Sequence, residues 1–347
     1  MSNTTKKIFK IGGMMAIVVI FFVIIVSVMT YVFHDDSILT QSMRQIVPMP
    51  AATVNRTHWI SSAAVDDNLR ALRHQYNSPQ ISESGLRVDF STTEGQKRLL
   101  IRKKDILNKM VEDEAILILA KKRDITINAD DALDELQQMF AAANEETDVS
   151  EQISESYNWN TDTFIERMVI PSMYRQSLEE WFYENNTPDP SLHEKMTQAQ
   201  KELDDQRQFE DVVKNYSEGQ SAELEGEMGW FAAHQLMEEL SIKAFTMKED
   251  EVSAIIETPI GYHIIRVNDI KEADENTPEL VSLSQIFVAK KTFGQWLEEE
   301  MRTMKFNVLS TEFAWDNEYQ VVDFSEQEMR NFEEEARNNP QGDASLF

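Results

Sequence analysis

The sequence predicts an α+β protein made of an N-terminal transmembrane helix, a helical domain, and an antiparallel sheet with helices. Three observations support this fold class. Residues 12–33 contain no charged side chain, and apolar residues recur at helical spacing between residues 47 and 187. The stretch Gly226 to Val267 has the order strand, helix, strand, tight turn and strand, which predicts a small sheet within residues 191–289.

The composition excludes several classes of function. The chain has 347 residues, of which 61 are acidic and 33 are Lys or Arg, and its net charge is −28. Such a charge repels phosphate backbones, so nucleic acid is not an expected partner. Cysteine is absent, which excludes disulfides, thiol catalysis and thiolate metal sites. The six histidines are scattered without metal-binding spacing, so no metal or other cofactor is expected.

Residues 1–35 are predicted to form a cytoplasmic N-terminus and a membrane anchor. At ~1.5 Å per residue, a helix over residues 12–33 can cross a hydrocarbon core of ~30 Å. Lysines precede this segment and Asp35 and Asp36 follow it, which places the N-terminus inside and the later domains outside. A cleaved signal peptide is the alternative, but "VMTYVFHDD" offers no small-residue cleavage site. The expected location is therefore the cytoplasmic membrane, with a single pass.

Residues 47–187 are predicted to form a helical domain. One long helix has a regular apolar face: Leu99, Ile106, Met110, Ile116 and Leu119. Asn128 is placed to cap a further helix through Phe140, and Pro171 is expected to kink or divide another.

Two segments of this domain, "PAATVNRTHWISSAAVDDNLRAL" and "ILNKMVEDEAILILAKKRDITINADD", resemble the N-terminal domain of SurA-type chaperones. Arg56 and Asp124 stand where that family usually has glycine. A generic amphipathic bundle is the alternative, because the same periodicity occurs in other helical domains.

The region from Tyr216 to Val267 resembles the parvulin-type peptidyl-prolyl isomerases over several elements at matching spacing. The matching residues are Tyr216, Ser217, Ser221, Ala222, Gly226, Gly229, Trp230, Phe231, Ala244, Phe245, Glu251, Val252, Ser253, Thr258, Gly261, Tyr262, His263, Ile264, Ile265 and Val267. The resemblance implies a sheet in which a further strand lies between the "GWF" strand and the "GYHII" strand.

That further strand should open the family's domain, yet only helical sequence precedes Tyr216. The segment "VSLSQIFV", Val281 to Val288, alternates like a half-buried strand and carries Gln285 where the family has histidine. We therefore expect a circularly permuted parvulin domain, residues 191–289, in which Gln285 lies beside His263 and on the same face. A plain linker strand is the alternative.

The resemblance also implies the site residues. Met228, Leu236 and Leu240 occupy the positions of the proline-binding pocket. A second set forms the polar network beneath the pocket, namely His263, Thr258 and Gln285. The alternatives are ordinary core packing for the apolar residues and a structurally satisfied histidine for His263. Gly219 lies near the position where the family often has cysteine or an acid.

The expected function is an extracytoplasmic, membrane-anchored folding factor that binds unfolded or newly exported polypeptides and X-Pro segments, with peptidyl-prolyl cis-trans isomerase activity. Gln285, Gly219 and Leu240 depart from the family pattern, so a catalytically inactive holdase or an interaction protein in envelope assembly is the alternative. Residues 290–322 are expected to return to the helical domain, as the resemblance to SurA-type chaperones implies. Residues 323–347 are predicted to form an acidic, partly disordered tail.

Overall fold

The computed structural model describes residues 21–30, 33, 37–47, 49–76, 89–142, 148–186, 189–273 and 278–338. The chain divides into two compact units. Unit 1 comprises Met1–Leu178 and Glu298–Phe347, and unit 2 comprises Glu179–Leu297. Helices and antiparallel sheets occur in both units, which confirms the α+β class.

The elements up to residue 216 are mainly helical: α1 (Ile38–Ile46), β1 (Pro50–Val54), β2 (His58–Ser61), α2 (Ser62–Tyr76), α3 (Thr93–Lys121), α4 (Ala129–Ala142), α5 (Val149–Tyr157), α6 (Thr161–Phe164), a π-helical turn (Ile165–Val169), α7 (Ile170–Asn185), α8 (Pro190–Asp204) and α9 (Phe209–Tyr216). The later elements are mixed: a 3-10 turn (Gln220–Leu224), β3 (Glu227–Phe231), a second 3-10 turn (Ala233–Gln235), α10 (Glu238–Ala244), β4 (Ile256–Thr258), β5 (Gly261–Lys271), β6 (Leu280–Ala289), α11 (Phe293–Arg302), β7 (Phe306–Val308), β8 (Phe313–Asp316), β9 (Val321–Phe324) and α12 (Gln327–Asn338).

The predicted membrane anchor lies mostly outside the described residues, which include only 21–30 and 33 of its length. Residues 21–30 are helical. Within the described part of the chain, we find no helix with both the length and the apolar character that a membrane span requires.

Unit 1 is organised around the long helix α3. Thr92 caps its start, because the Thr92 hydroxyl accepts a hydrogen bond from the Gly95 N–H at 3.0 Å. The buried face of α3 includes Ile101, Leu107 and Val111, which are at most 2% exposed and pack in one apolar cluster with strands and helices of the unit. Of the face predicted from the sequence, Ile116 and Leu119 are buried, whereas Leu99, Ile106 and Met110 are only half-buried, so the buried stripe of α3 is displaced from the predicted one.

The helical turns around Pro171 differ from a simple kink. A π-helical turn, Ile165–Val169, leads directly into α7, and Pro171 is the second residue of α7. The Ile170 N–H still donates to the Ile165 carbonyl, so Pro171 lies inside a continuous helical run and not at a free helix start. Proline has no N–H to donate, and the irregular π-helical turn lies directly before it, where a regular helical hydrogen bond is missing. As predicted, Asn128 also caps α4: its Oδ1 accepts from the Asp131 N–H at 2.8 Å.

Unit 1, predicted as a helical domain, also contains sheet. β1 pairs with β2 and, on its other edge, with β7 from the C-terminal part of the chain. β8 and β9 form a separate two-stranded antiparallel pair. Because β7 is only three residues long, its sequence carries no detectable alternation.

Part of the tail that was predicted to be partly disordered is helical. Residues 327–338 form α12, and the remaining residues of that tail, 339–347, lie outside the described part of the chain. Met329, Phe332 and Ala336 pack against the core cluster of unit 1. Their spacing of three and four residues gives a high-charge sequence one narrow apolar face, which composition alone does not reveal.

A buried ion pair fixes α12 to α3. Lys104 on α3 and Glu333 on α12 are 9% and 8% exposed, and the Lys104 Nζ donates a hydrogen bond to the Glu333 carboxylate. Asp323 lies 3.5 Å from the same Nζ. A second pair joins the same two helices near the surface, where Lys97 bonds Glu328 at 2.6 Å and the Glu328 side chain is 76% exposed.

Unit 2 contains a four-stranded antiparallel sheet with the order β3–β6–β5–β4. One face of the sheet carries Tyr262, Ile264 and Ile286, which pack against α8 and α9. The other face carries Ile265 and Val267, which pack in a cluster with residues of α10. Both faces are covered, so β5 and β6 are buried on both sides although their sequences partly alternate.

We predict that Glu333→Gln destabilises unit 1 more than Glu328→Gln, which is the matched change on the same helix. Removing one partner of a buried pair costs roughly 3–5 kcal/mol, and we expect the lower end because Asp323 remains near Lys104. An exposed pair contributes much less, because water screens its charges. Urea unfolding of the two variants measures the difference. Equal losses of unfolding free energy would show that the Lys104–Glu333 pair does not hold α12.

Candidate active site

Thr258, His263 and Gln285 are brought together by the sheet of unit 2. β4 and β5 form a tight hairpin in which Thr258 pairs with Gly261, and this places Thr258 next to the start of β5. In the β5–β6 register, Ile265 is opposite Gln285 and His263 is opposite Phe287. Alternate residues of a strand share a face, so His263 and Gln285 are diagonal neighbours on one side of the sheet.

These side chains form a continuous line of hydrogen-bonding contacts. The Thr258 Oγ1 lies 3.0 Å from the His263 Nε2, and the His263 Nδ1 lies 3.1 Å from the Gln285 Oε1. The Gln285 Nε2 donates to the Ser221 Oγ at 3.2 Å. The Thr258 Oγ1 is also 3.1 Å from the carbonyl oxygen of Gly261. The ring of His263 therefore has a polar partner at each nitrogen.

Ser221 reaches this line because the loop before β3 is tied to β6. The Glu218 N–H donates to the Phe287 carbonyl at 2.8 Å, and the Gln285 N–H donates to the Gly226 carbonyl at 2.8 Å. Gly226 has φ of +90°, and a Cβ there would lie 2.8 Å from the Gln285 carbonyl oxygen. Only glycine fits both the backbone angle and the close approach, so Gly226 sets the path of the loop.

The three predicted pocket residues lie in the apolar cluster on the same face of the sheet. Leu240 on α10 is 3% exposed and belongs to the buried part of that cluster, whereas Met228 and Leu236 are half-buried and pack against it. Leu240 therefore shapes the site from within the core. Met228 and Leu236 are the two whose apolar side chains stay partly exposed.

Two residues at the site were not singled out from the sequence. The Phe287 ring packs on the His263 ring with 4.7 Å between the centroids. Ser221 was matched to the parvulin pattern, but no role followed from the match. The alternation of β6 could have predicted the role of Phe287, because residues 285 and 287 lie on the same face of the strand. The contact of Ser221 with Gln285 depends on a loop path, for which no sequence pattern exists.

Burial determines the charge state of His263. The residue is 2% exposed, and this burial lowers the pKa of the imidazole below its ordinary value of 6.5. The hydrogen bond with Gln285 and the charge of Glu239 act in the opposite direction, while the charge of Lys290 adds to the lowering. The imidazole is therefore neutral at pH 7, and the network beneath the apolar residues carries no charge.

Gly219 lies close to the network. A Cβ at this position would lie 3.3 Å from the Phe287 Cδ1, so the Phe287 ring would have to shift slightly, whereas the Ser221 Oγ at 3.6 Å and the Gln285 Nε2 at 3.7 Å would be at ordinary contact distances. The backbone there is extended, with φ of −73°, so the backbone angle itself accepts a side chain. Within the described residues, no group of histidines and carboxylates is arranged to hold a metal ion. The site offers hydrogen bonds and apolar surface.

The lowered pKa of His263 predicts a pH-dependent stability of unit 2. Above pH 6.5, His263 is neutral in both the folded and the unfolded chain, so its titration does not lower the unfolding free energy. Below pH 6.5 the unfolded chain binds the proton first, so the unfolding free energy falls, by up to ~1.4 kcal/mol per pH unit, until the pH reaches the folded pKa. His263→Gln removes this slope. Urea unfolding between pH 7.5 and 5.5 tests it, and an identical pH slope in the variant would contradict the assignment.

Comparisons with known proteins find relatives over part of the chain. Residues 179–269 match the family model for the rotamase, or PPIC-type PPIase, domain. The chain is 41% identical over 75 residues to foldase protein PrsA 1 of Bacillus cereus, an alignment that covers 21% of this chain and 26% of the relative. It is 39% identical over 87 residues to foldase protein PrsA of Bacillus subtilis, covering 24% and 30%.

A third relative has the other family name. The chain is 28% identical over 116 residues to chaperone SurA of Nitrosospira multiformis, and the alignment covers 32% of this chain and 26% of the relative. The chain thus spans less than a third of the length of each of these curated relatives. Over the matched region it carries a PPIC-type, parvulin-like peptidyl-prolyl isomerase domain and is similar to the PrsA and SurA foldase chaperones.

Proposed function

We propose that this chain is an extracytoplasmic folding factor, anchored in the cytoplasmic membrane by its N-terminal segment, that binds unfolded exported polypeptides and isomerises X-Pro bonds in unit 2. The observation that carries the proposal is the contact of His263 with both Thr258 and Gln285 on the face of the sheet where Met228 and Leu236 lie. The names of the relatives, foldase and chaperone, support the wider role.

Prolyl isomerisation needs hydrogen bonds and apolar contacts and requires no nucleophile. Rotation about the X-Pro bond has a barrier of ~18–20 kcal/mol and takes tens to hundreds of seconds unaided. Apolar contacts that hold the proline ring, with polar groups that favour the twisted amide, lower this barrier. We assign the ring contacts to Met228 and Leu236, with Leu240 behind them. His263, Thr258 and Gln285 form the catalytic network.

We also propose that unit 2 is a circularly permuted parvulin domain. The family match ends at residue 269, whereas β6 begins at Leu280, after the long connection from β5. β6 nevertheless lies between the "GWF" strand β3 and the "GYHII" strand β5. Antiparallel neighbours need no crossover, so the C-terminal end of the unit supplies the central strand through a simple loop.

A groove in unit 1 supports the chaperone role. It is a cleft of about 440 Å³ formed by β2, α2, α3, the π-helical turn and α7. Trp59 on β2 is 60% exposed at this cleft, and Met168 in the π-helical turn is 36% exposed. The lining also contains Met110 and Leu117. Exposed aromatic and methionine side chains around a cleft are typical of surfaces that bind varied apolar segments.

A holdase that lacks isomerase activity is the second candidate function. It is favoured by Gly219, which leaves the network without the cysteine or acid that the parvulin pattern often has, and by Gln285 in place of histidine. Glutamine still donates and accepts hydrogen bonds, which is why we place the active isomerase first.

Met228→Ala should lower kcat/KM for prolyl isomerisation about tenfold, since the loss of roughly 1.4 kcal/mol of transition-state contact corresponds to that factor. The assay is proline-limited refolding of a model client. Met139→Ala, which truncates a methionine that is 49% exposed on α4, is the matched control and should retain full activity. A wild-type chain with no isomerase activity would favour the holdase. An unchanged kcat/KM in Met228→Ala would show that Met228 is not part of the pocket.

Trp59→Ala should weaken the suppression of client aggregation by several-fold without changing isomerase activity, because it removes the largest exposed apolar side chain of the unit 1 groove. Light scattering of a denatured client diluted into each variant measures this effect. Tyr319→Ala, which removes an aromatic ring that is 70% exposed and outside the groove lining, is the control. Equal loss in both variants would mean that general surface aromaticity, and not the groove, binds clients.

A further inference from the structure

The neighbours of His263 at its two ring nitrogens determine which nitrogen carries the proton. Resting on the proposed isomerase site, we propose that Gln285 and Ser221 are positioning residues that hold neutral His263 as its Nδ1–H tautomer. In this arrangement the Thr258 hydroxyl donates to the His263 Nε2. The line of donors then runs in one direction, from Thr258 through His263 and Gln285 to Ser221.

The assignment follows from the two ends of the Gln285 amide. The Gln285 Nε2, which can only donate, lies 3.2 Å from the Ser221 Oγ. The Gln285 Oε1, which can only accept, therefore faces the His263 Nδ1 at 3.1 Å. A lone pair on Nδ1 would oppose the carbonyl oxygen, so Nδ1 carries the hydrogen. The Nε2 then has the lone pair and accepts from Thr258 at 3.0 Å.

The competing arrangement reverses every bond. The Thr258 hydroxyl would donate to the Gly261 carbonyl, which is 3.1 Å away, and the His263 Nε2–H would donate to Thr258. The Gln285 amide would then have to turn over, so that its Nε2 faces the ring and its Oε1 faces Ser221. The orientation of one amide thus selects the tautomer, and Ser221 is the residue that contacts the far end of that amide.

The glutamine carbonyl keeps the same role in both charge states of His263. The Gln285 carbonyl accepts from Nδ1–H whether His263 is neutral or protonated. On protonation, the Nε2–H donates to Thr258, and the Thr258 hydroxyl turns to the Gly261 carbonyl. No heavy atom has to move. The charged groups that act on His263 are Glu239 on α10 and Lys290 after β6, and the Phe287 ring covers one side of the imidazole.

Long-range 1H–15N NMR of the histidine side chains in the full-length chain tests the proposal, because it distinguishes the protonated from the unprotonated ring nitrogen. Above pH 6.5, wild-type His263 should favour Nδ1–H at least about fivefold, as one well-formed hydrogen bond provides. Gln285→Met removes the acceptor while keeping the length of the side chain. It should shift His263 to mainly Nε2–H, with the Thr258 hydroxyl donating to Gly261. Ser221→Ala frees the amide and should give a mixture.

Gln220→Met is the matched control, since Gln220 is an exposed glutamine next to Ser221, and it should keep the wild-type tautomer. A wild-type Nε2–H tautomer, or a Gln285→Met variant that retains Nδ1–H, would overturn the proposal. If Gln285→Met does not fold, the wild-type spectrum alone still decides between the two arrangements. The NMR measurement of the tautomer does not require isomerase activity. A chain that has the Nδ1–H tautomer but no isomerase activity would therefore contradict the proposed function and still support this inference.

Discussion

The structure of unit 2 depends on the pairing of β6 with β3 on one side and β5 on the other. Without β6, these two strands have no common neighbour, and the buried side of each loses its ladder of hydrogen bonds. β6 contributes Val281 and Leu283 to the cluster on one face and Ile286 and Val288 to the cluster on the other. A single strand from the end of the unit therefore holds both cores together.

The same strand assembles the site. Gln285 and Phe287 both belong to β6, and each contacts His263 on β5. The loop that carries Ser217, Glu218 and Gly226 is in turn bound to the backbone of β6. Groups separated by more than sixty residues thus meet because one strand is central. The proposed proline pocket is a consequence of the strand order, since the apolar residues that form it pack on the face where Gln285 and His263 meet.

The sequence predicts much of this, and its failures have physical causes. The strand at Val281 to Val288 was predicted from alternation, yet it is buried on both faces: Ser284, which reads as an outward position, is 3% exposed and accepts a hydrogen bond from Asn268 at 3.0 Å. Alternation of small polar residues does not reveal such burial. β7 was missed because three residues carry no period, and α12 because one narrow apolar stripe is hidden among charges. The role of Ser221 depends on loop geometry fixed by distant pairing.

Disulfide formation between engineered cysteines tests the central position of β6 most directly, and the absence of native cysteine makes the readout clean. Ser282 on β6 is directly paired with Trp230 on β3 and with Asp269 on β5. Paired antiparallel residues have Cα atoms roughly 4.5–5.5 Å apart, within the range that a disulfide spans.

A cysteine at 282 should therefore oxidise efficiently with a cysteine at 230 and, in a separate variant, with one at 269. A cysteine at 227, out of register with 282, should not react. Failure of the 230–282 pair under conditions where 269–282 forms would contradict the account, because β6 would then not separate β3 from β5.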